Sequence, residues 1–245
     1  NINSKISCTA RLLFCLKLIY LLTSVSHRDF AGVPLPLFTG NDLVCFRGGR
    51  TVFAKLDFSL EQGEALILRG PNGSGKSSLL RLMAGLSQPQ KGCLKWEEES
   101  ISVDPEAHNS RLHYIGHSDP VKPVMTVSEN TRFWAGLRPG GSSNDTLTLA
   151  LRKLGISHLR DVQGRFLSEG QKRRVNLARI LTVHAPLWLL DEPATALDQT
   201  AEESLINAIY EHRARGGMVV ISSHVANTLT DAQEIDLGQF RAMPT

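Results

Sequence analysis

The stretch GPNGSGKSSLL, from Gly70 to Leu80, has the spacing of a phosphate-binding loop. Four residues separate Gly70 from Gly75-Lys76-Ser77, which is the G-x-x-x-x-G-K-[ST] pattern. In such a loop, glycines let backbone N–H groups turn toward phosphate oxygens, the lysine reaches the β- and γ-phosphates, and the serine hydroxyl ligates Mg²⁺. The residues predicted to contact the nucleotide are Gly70, Pro71, Asn72, Gly73, Ser74, Gly75, Lys76, Ser77 and Ser78.

The sequence on either side of this stretch favours the loop over a glycine-rich turn without a ligand. ALIL, at Ala65 to Leu68, predicts a short buried parallel strand before it. Leu79, Leu80 and Met83 follow at helical spacing, and Gly85 predicts the end of that helix. A strand before and a helix after are the context that the pattern requires.

A second motif, LWLLDEPATALD, places two carboxylates after another apolar strand, Leu187 to Leu190. At such a strand end, Asp191 is predicted to hold Mg²⁺ opposite the phosphate-binding loop. Glu192 follows directly and is predicted to polarise an attacking water. The alternative reading is a solvated acidic turn.

The third motif, LSEGQKRRVNLAR, reads as the start of a helix. Ser168 and Gln171 have capping-box spacing. Val175, Ala178 and Leu181 predict an apolar stripe along that helix. The motif is therefore either a capped surface helix with a basic face or a helix N-terminus that binds an anion.

The remaining chain predicts a mixed fold. Alternating apolar residues around the RGGR turn predict antiparallel strands within residues 43–60. Strands ending near Leu68, Ile115, Leu190 and Ile221 predict a parallel core. We expect a small helical lobe over about residues 120–165, and Leu205, Ile206 and Ile209 to face the core of a later helix.

Composition limits the classes of protein. The 245 residues are 42% apolar and 21% charged, which suits one globular domain or a domain with a lobe. A net charge of +3 is too small to predict nucleic-acid binding, and we expect no nucleic-acid partner. The four cysteines lack zinc-site spacing and do not require disulfides.

The first residues differ from the rest. RLLFCLKLIYLLTSVS is apolar and is interrupted by Lys17, which argues against a membrane span of about 20 apolar residues. We expect residues 1–38 to be an N-terminal extension, either a presequence or an upstream segment that the domain does not need. Residues 39–245 are then predicted to form the domain.

The order of these motifs resembles the ATPase family of ABC transporters. The phosphate-binding loop is followed by LSEGQ, LLDEP, ALD and a strand leading to His224. The resemblance implies an α/β P-loop NTPase domain of the ABC type, with a parallel core sheet, an N-terminal antiparallel β sub-sheet and a small helical lobe. It implies ATP and Mg²⁺ as ligands, with Lys76 and His224 acting on the phosphates and Glu192 as the general base.

The same resemblance implies a dimer of two such chains around two ATP molecules. Ser168, Gly170 and Gln171 would then belong to the nucleotide site of a second copy, and Asp198 would lie across the interface. Phe46 or Arg47 is the candidate for stacking on the adenine; the alternative is a core phenylalanine and a solvated arginine. Segment 118–129 would dock a membrane subunit.

Within that family the chain is most similar to the ATP-binding subunits of the haem exporter of cytochrome c maturation, the CcmA family. The stretches that carry the similarity include YIGHSDPVKP, LSEGQKRRVNLARI and RARGGMVVISSH. The similarity implies a membrane-spanning CcmB-like partner and other cytochrome c maturation proteins. It implies a peripheral position on the cytoplasmic face of a bacterial inner membrane or on the matrix face of a mitochondrial one.

Two positions depart from the family pattern. Glu169 stands where the signature usually has glycine, and Ser118 stands where a glutamine is expected. His117, or a water held by Ser118, is a candidate substitute for that glutamine. A haem site at His113 and His117, which are four residues apart, is disfavoured.

Two other functions remain open at this point. One is an ABC ATPase without a transporter, such as a motor of iron–sulfur assembly. The other is a nucleotide-gated assembly module with little turnover, which the missing glutamine makes conceivable.

Overall fold

A computed structural model describes residues 37–138, 141–222 and 229–241. The N-terminal extension, predicted over residues 1–38, lies almost entirely outside the described residues, and so does His224. The predicted domain boundary at residue 39 therefore stays a prediction. Among the described residues, no helix is both long and apolar enough to cross a membrane.

An antiparallel sheet forms the start of the described chain. Strands β1 (Phe38–Arg47) and β2 (Arg50–Leu60) are joined by Gly48 and Gly49, whose φ angles of 59° and 77° give the tight turn that the RGGR sequence predicts. β1 also pairs with β4 (Lys91–Trp96), and β4 pairs with β5 (Glu99–Ser100), in the order β2-β1-β4-β5.

A five-stranded sheet of parallel strands forms the second layer. It consists of β3 (Ala65–Arg69), β6 (Leu112–Ile115), β7 (Leu187–Asp191), β8 (Met218–Ser222) and β9 (Gln233–Asp236). Their order is β6-β7-β8-β3-β9, and every pairing is parallel. The four predicted core strands are confirmed, whereas β9 was not predicted.

Helices cover this sheet and build the lobe. The helices are α1 (Lys76–Met83), α2 (Pro105–Ser110), α3 (Val127–Gly136), α4 (Asn144–Lys153), α5 (Glu169–Thr182) and α6 (Gln199–Ala214). Short 3-10 turns occupy Ser157–Leu159, Gly164–Phe166 and Leu237–Phe240. α3 and α4 fall within the predicted lobe and both pack against α5.

Strand alternation divides the core into two hydrophobic clusters. On β7, Leu187 and Leu189 face the first cluster, which contains α1 and the antiparallel sheet, while Trp188 and Leu190 face the second. The second cluster contains residues of α4, α5 and α6. Both faces of the parallel sheet are thus buried, which explains why its central strands are continuous apolar runs.

One prediction for the helices is corrected by the structure and another is confirmed. Leu205 and Ile209 of α6 are buried, but Ile206 is only partly buried because it lies at the edge of the apolar stripe. α1 ends as predicted, since Gly85 has a φ of 70° and the N–H of Leu86 donates to Arg81 O.

Candidate nucleotide-binding site

The phosphate-binding loop lies between the end of β3 and the start of α1, as the flanking sequence predicts. Gly73 and Gly75 have φ angles of 79° and 108°, which side-chain-bearing residues rarely adopt. A Cβ on Gly75 would also lie 2.8 Å from Val52 Cγ1, so close packing of β2 reinforces the need for glycine there. The loop ends at the N-terminus of α1, where free N–H groups and the helix dipole favour an anion.

Lys76, the first residue of α1, folds its side chain back over this loop. Its Nζ donates to Gly70 O at 2.7 Å and to Pro71 O at 3.3 Å. The ammonium group is thereby held at the mouth of the loop, beside the N–H groups that start the helix. This placement fits the predicted role of Lys76 in contacting phosphates.

A cleft of about 740 Å³ opens over the loop and collects most of the predicted site. It is lined by Arg47, Gly48, Arg50, Val52, Asn72, Gly73, Gly75, Lys76, Ser77, Ser78, His117, Asp191 and Glu192. Of the predicted loop residues, Gly70, Pro71 and Ser74 do not line the cleft and instead form the base of the loop. Arg47 lines it, whereas Phe46, which is 51% exposed, does not, so the structure favours Arg47 of the two candidates for base stacking.

The two carboxylates line the same cleft as the loop. Asp191, the last residue of β7, is buried, and Ser222 Oγ on the neighbouring strand donates to Asp191 Oδ1 at 2.7 Å. Glu192 has a φ of 46°, unusual for a residue with a side chain. Its N–H donates to Ser222 O at 2.8 Å, which holds this backbone conformation. Ser222 was not predicted; the sequence shows only a serine after the apolar run MVVI, and its register with Asp191 is set by the sheet.

The signature residues begin α5 and lie outside the cleft of their own chain. Ser168 is the N-cap: its Oγ accepts from Gln171 N at 3.3 Å, and Gln171 Oε1 accepts from Ser168 N at 2.9 Å. The predicted capping box is therefore confirmed. A Cβ on Gly170 would lie 2.4 Å from Ala196 O, so glycine lets the chain after Glu192 pass close to this helix end.

The two histidines His113 and His117 lie in different surroundings. His117 lines the cleft, and the neighbouring Ser118 is exposed. His113 lies within β6 and is buried, and its Nε2 is hydrogen bonded to Val183 O at 2.7 Å. Burial, with Arg138 nearby, lowers the pKa of His113 to about 3, so it is neutral at physiological pH. The two histidines do not line one site.

Asp198 lies at the other end of the LLDEPATALD segment, where it is the N-cap of α6. The backbone N–H of Ala201 and the neighbouring Arg174 lower the pKa of this carboxyl group. Arg174, on α5, forms an ion pair with Asp198. This ion pair links the N-terminus of α6 to α5, the helix that begins with the signature residues.

The sequence predicted Arg173 only as part of a basic helix face. Its side chain is 3% exposed and donates hydrogen bonds to the backbone carbonyls of Asp191, Glu192 and Pro193. The one sequence signal for its burial was its position beside the apolar stripe of α5.

Comparison with known proteins agrees with this geometry. The model of a family described as "ABC transporter" matches residues 53–195. A cytochrome c biogenesis ATP-binding export protein CcmA of Paramagnetospirillum magneticum is 53% identical over 205 residues, covering 83% of this chain and 94% of that protein. The protein of the same name from Rhodospirillum rubrum is 49% identical over 219 residues, covering 89% and 93%.

A solved structure of the ATP-binding subunit of an ABC transporter shares the fold, with a TM-score of 0.72 at 23% identity over 82% of this chain and 87% of that one. The motif order, the cleft and the two relatives agree, and the chain belongs to the ABC transporter ATPases and, within them, to the CcmA family.

Proposed function

We propose that this chain is the ATP-hydrolysing subunit of the haem exporter that serves cytochrome c biogenesis. The observation that supports this most is the cleft, in which the phosphate-binding loop, Asp191 and Glu192 line one cavity. The relatives at 53% and 49% identity are named as cytochrome c biogenesis export proteins, which supports the transport role.

The residues of the cleft suit a nucleotide with a hard divalent cation. Ser77 offers a hydroxyl oxygen and Asp191 a carboxylate, and oxygen ligands of this kind are those that Mg²⁺ takes. When bound, Mg²⁺ supplies positive charge that offsets the charge developing on the β- and γ-phosphates. Ser222 Oγ holds Asp191 Oδ1, and the other carboxylate oxygen, Oδ2, would be available as a ligand for Mg²⁺.

Glu192 is proposed to act as the general base. It lines the same cleft as Lys76 and follows Asp191 in the chain, so its carboxylate can accept a proton from an attacking water there. Lys76 and the N–H groups of the loop stabilise the phosphate charge, so most of catalysis is positioning and electrostatics. His224, which lies outside the described residues, is proposed to contact the γ-phosphate.

A second copy of the chain is proposed to complete each site. Ser168, Gly170 and Gln171 do not line their own chain's cleft, and they begin a helix whose N-terminus suits an anion. In an ATP-bound dimer they would contact the γ-phosphate held by the partner. ATP binding closes this dimer, and hydrolysis with phosphate release opens it.

Closure of the dimer is proposed to move a membrane-spanning, CcmB-like subunit that docks on segment 118–129. The resulting complex is proposed to act with other cytochrome c maturation proteins. Val124 in this segment is 72% exposed, which fits a docking surface. We place the complex on the cytoplasmic face of a bacterial inner membrane, or on the matrix face of a mitochondrial inner membrane if the chain is organellar.

The test is phosphate release by the full chain, purified with and without its membrane subunit. Glu192→Gln should lower the turnover number by about 10² to 10⁴, the usual contribution of a general base, and retain ATP binding. Lys76→Ala should lose binding or turnover. Glu106→Gln, the same exchange at an exposed residue of α2 outside the cleft, should match the unaltered chain.

Each outcome assigns the function. Turnover that depends on Glu192 and responds to a copurified membrane subunit supports the exporter. Turnover by the lone chain, with no membrane subunit recovered, would instead support an ABC ATPase without a transporter, such as one of iron–sulfur assembly. ATP-dependent dimerisation without phosphate release would support a nucleotide-gated assembly module.

A further inference from the structure

Arg173 is a buried charge between two walls of the cleft. It is the middle residue of Lys172-Arg173-Arg174 on α5, and its side chain is only 3% exposed. A buried guanidinium is costly unless its donors are paired, and this one has partners for its Nε and for both of its terminal nitrogens.

Three of its bonds go to the backbone that carries the carboxylates. Nη2 donates to Asp191 O at 2.9 Å and to Glu192 O at 2.6 Å. Nε donates to Pro193 O at 3.0 Å. Because the Glu192 N–H is bonded to Ser222 O, the left-handed backbone of Glu192 is held at its N–H and at its carbonyl.

Two further bonds go to the segment after β6. Nη1 donates to Gly116 O at 2.9 Å and to Asp119 Oδ1 at 3.0 Å. Asp119, whose side chain is 14% exposed, also accepts from Asn176 Nδ2 at 2.7 Å. Between these two anchor points lies His117, which lines the cleft.

The Arg173 side chain therefore links segment 116–119, which carries His117, to residues 191–193, which include Glu192. The segment after β6 runs into α3 of the helical lobe, while Asp191 and Glu192 end a core strand. A planar guanidinium with five donors in a fixed fork can hold both at one separation, which a lysine cannot do.

We propose that Arg173 is a positioning residue that keeps the His117-bearing segment and the Glu192 peptide in fixed relative placement, so that they move as one unit during turnover. It acts through Glu192 and does not contact the nucleotide. This inference rests on the proposed role of Glu192 as the general base.

The test uses Arg173→Lys and Asp119→Asn in the full chain with its membrane subunit. Arg173→Lys keeps the charge and loses the fork. We expect the turnover number to fall by about tenfold to a hundredfold, as for a misplaced catalytic group, while KM for ATP stays within about threefold. Asp119→Asn should lower the turnover number in the same way, and by less.

The double variant measures whether the two residues act together. Since Arg173→Lys already breaks the link, adding Asp119→Asn should lower turnover no further, and the effects should be non-additive. Additive losses would mean that the two residues act separately and would overturn the proposal.

Arg213 provides a matched control for a purely structural role. Its side chain is 9% exposed and is bonded to Gly63 O at 2.8 Å and to both carboxylate oxygens of Asp231, but neither of these partners lines the cleft. Arg213→Lys should lower the melting temperature and leave the turnover number unchanged below that temperature.

The remaining outcomes distinguish this inference from the proposed function. If the unaltered chain hydrolyses ATP in a Glu192-dependent way, and folded Arg173→Lys and Asp119→Asn match its turnover number, only the positioning role is overturned. If Arg173→Lys does not fold, Asp119→Asn alone decides, because it leaves the carbonyl bonds of Arg173 in place. A chain whose turnover ignores Glu192→Gln overturns the proposed function itself.

Discussion

Replacing Ser168 by alanine and by aspartate should separate its role in the fold from its proposed role in the dimer. In the structure its hydroxyl accepts the N–H of Gln171 and caps α5. Ser168→Ala removes this acceptor, which costs about 1 kcal/mol (about 0.5–2) of folding free energy. For a domain of this size the melting temperature should fall by about 2–4 °C.

Ser168→Asp keeps the acceptor and adds a charge that the helix N-terminus favours, so the free energy of unfolding should change by less than about 0.5 kcal/mol. In the proposed dimer the same carboxylate faces the partner's γ-phosphate. Two unit charges about 4 Å apart repel by about 4 kcal/mol at an effective dielectric constant of 20. Since about 1.4 kcal/mol is a tenfold change, ATP-dependent dimerisation should weaken by about 10³-fold.

The assay combines thermal unfolding with sedimentation of the dimer in excess ATP and Mg²⁺, in chains that also contain Glu192→Gln to prevent hydrolysis. The matched control is Ser143, whose Oγ caps α4 by accepting from Thr146 N at 3.1 Å. Ser143→Ala and Ser143→Asp should repeat the stability pattern and leave dimerisation unchanged. A Ser168→Asp chain that dimerises as tightly as the unaltered one would refute the placement of Ser168 at the partner's phosphate.

Three further substitutions test a loop glycine of the site and two buried polar side chains outside the cleft. Gly75 has a φ of 108°, and the Cβ added by Gly75→Ala would lie 2.8 Å from Val52. The substitution should add about 1–3 kcal/mol of backbone strain and weaken ATP binding, which urea unfolding and titration of a fluorescent ATP analogue would measure. Unchanged stability and affinity would contradict this geometry. His113 has its pKa lowered to about 3, below the unfolded value of about 6.5, so the stability it contributes is present above pH 6.5 and is lost as the pH falls toward 3. From pH 7 to pH 5 the unaltered chain should lose about 2 kcal/mol more than His113→Gln, which denaturant titrations at both pH values would measure; equal losses would mean that His113 is not buried neutral. Asn130→Ala removes a fully buried amide that accepts from one backbone N–H and donates to three carbonyls within residues 122–126. The substitution should lower the free energy of unfolding by at least about 2 kcal/mol and speed hydrogen exchange in that segment. An exchange rate equal to that of the unaltered chain would show that the amide does not hold the segment.

Signals confined to a few neighbouring residues were readable from the sequence. The strand–loop–helix around Lys76, the capping box of Ser168 and the turn at Gly48 and Gly49 all depend on local backbone geometry, and the structure has each of them. The apolar runs of the central strands likewise predicted buried parallel strands, and the structure buries both faces of their sheet. β9 was missed because Gln233–Asp236 is a polar edge strand and has no apolar run to mark it.

The sequence by itself determined the family, the fold class and the residue types of the site, because motif spacing places glycines, a lysine and carboxylates at strand ends. Only the tertiary structure decided which side chains meet. It placed His117 and not His113 at the cleft, Arg47 and not Phe46 on its wall, and Arg173 between Asp119 and Glu192. The bond between Arg173 and Asp119 joins residues 54 positions apart. Their partners depend on strand order and on the direction of each side chain, which no local pattern specifies.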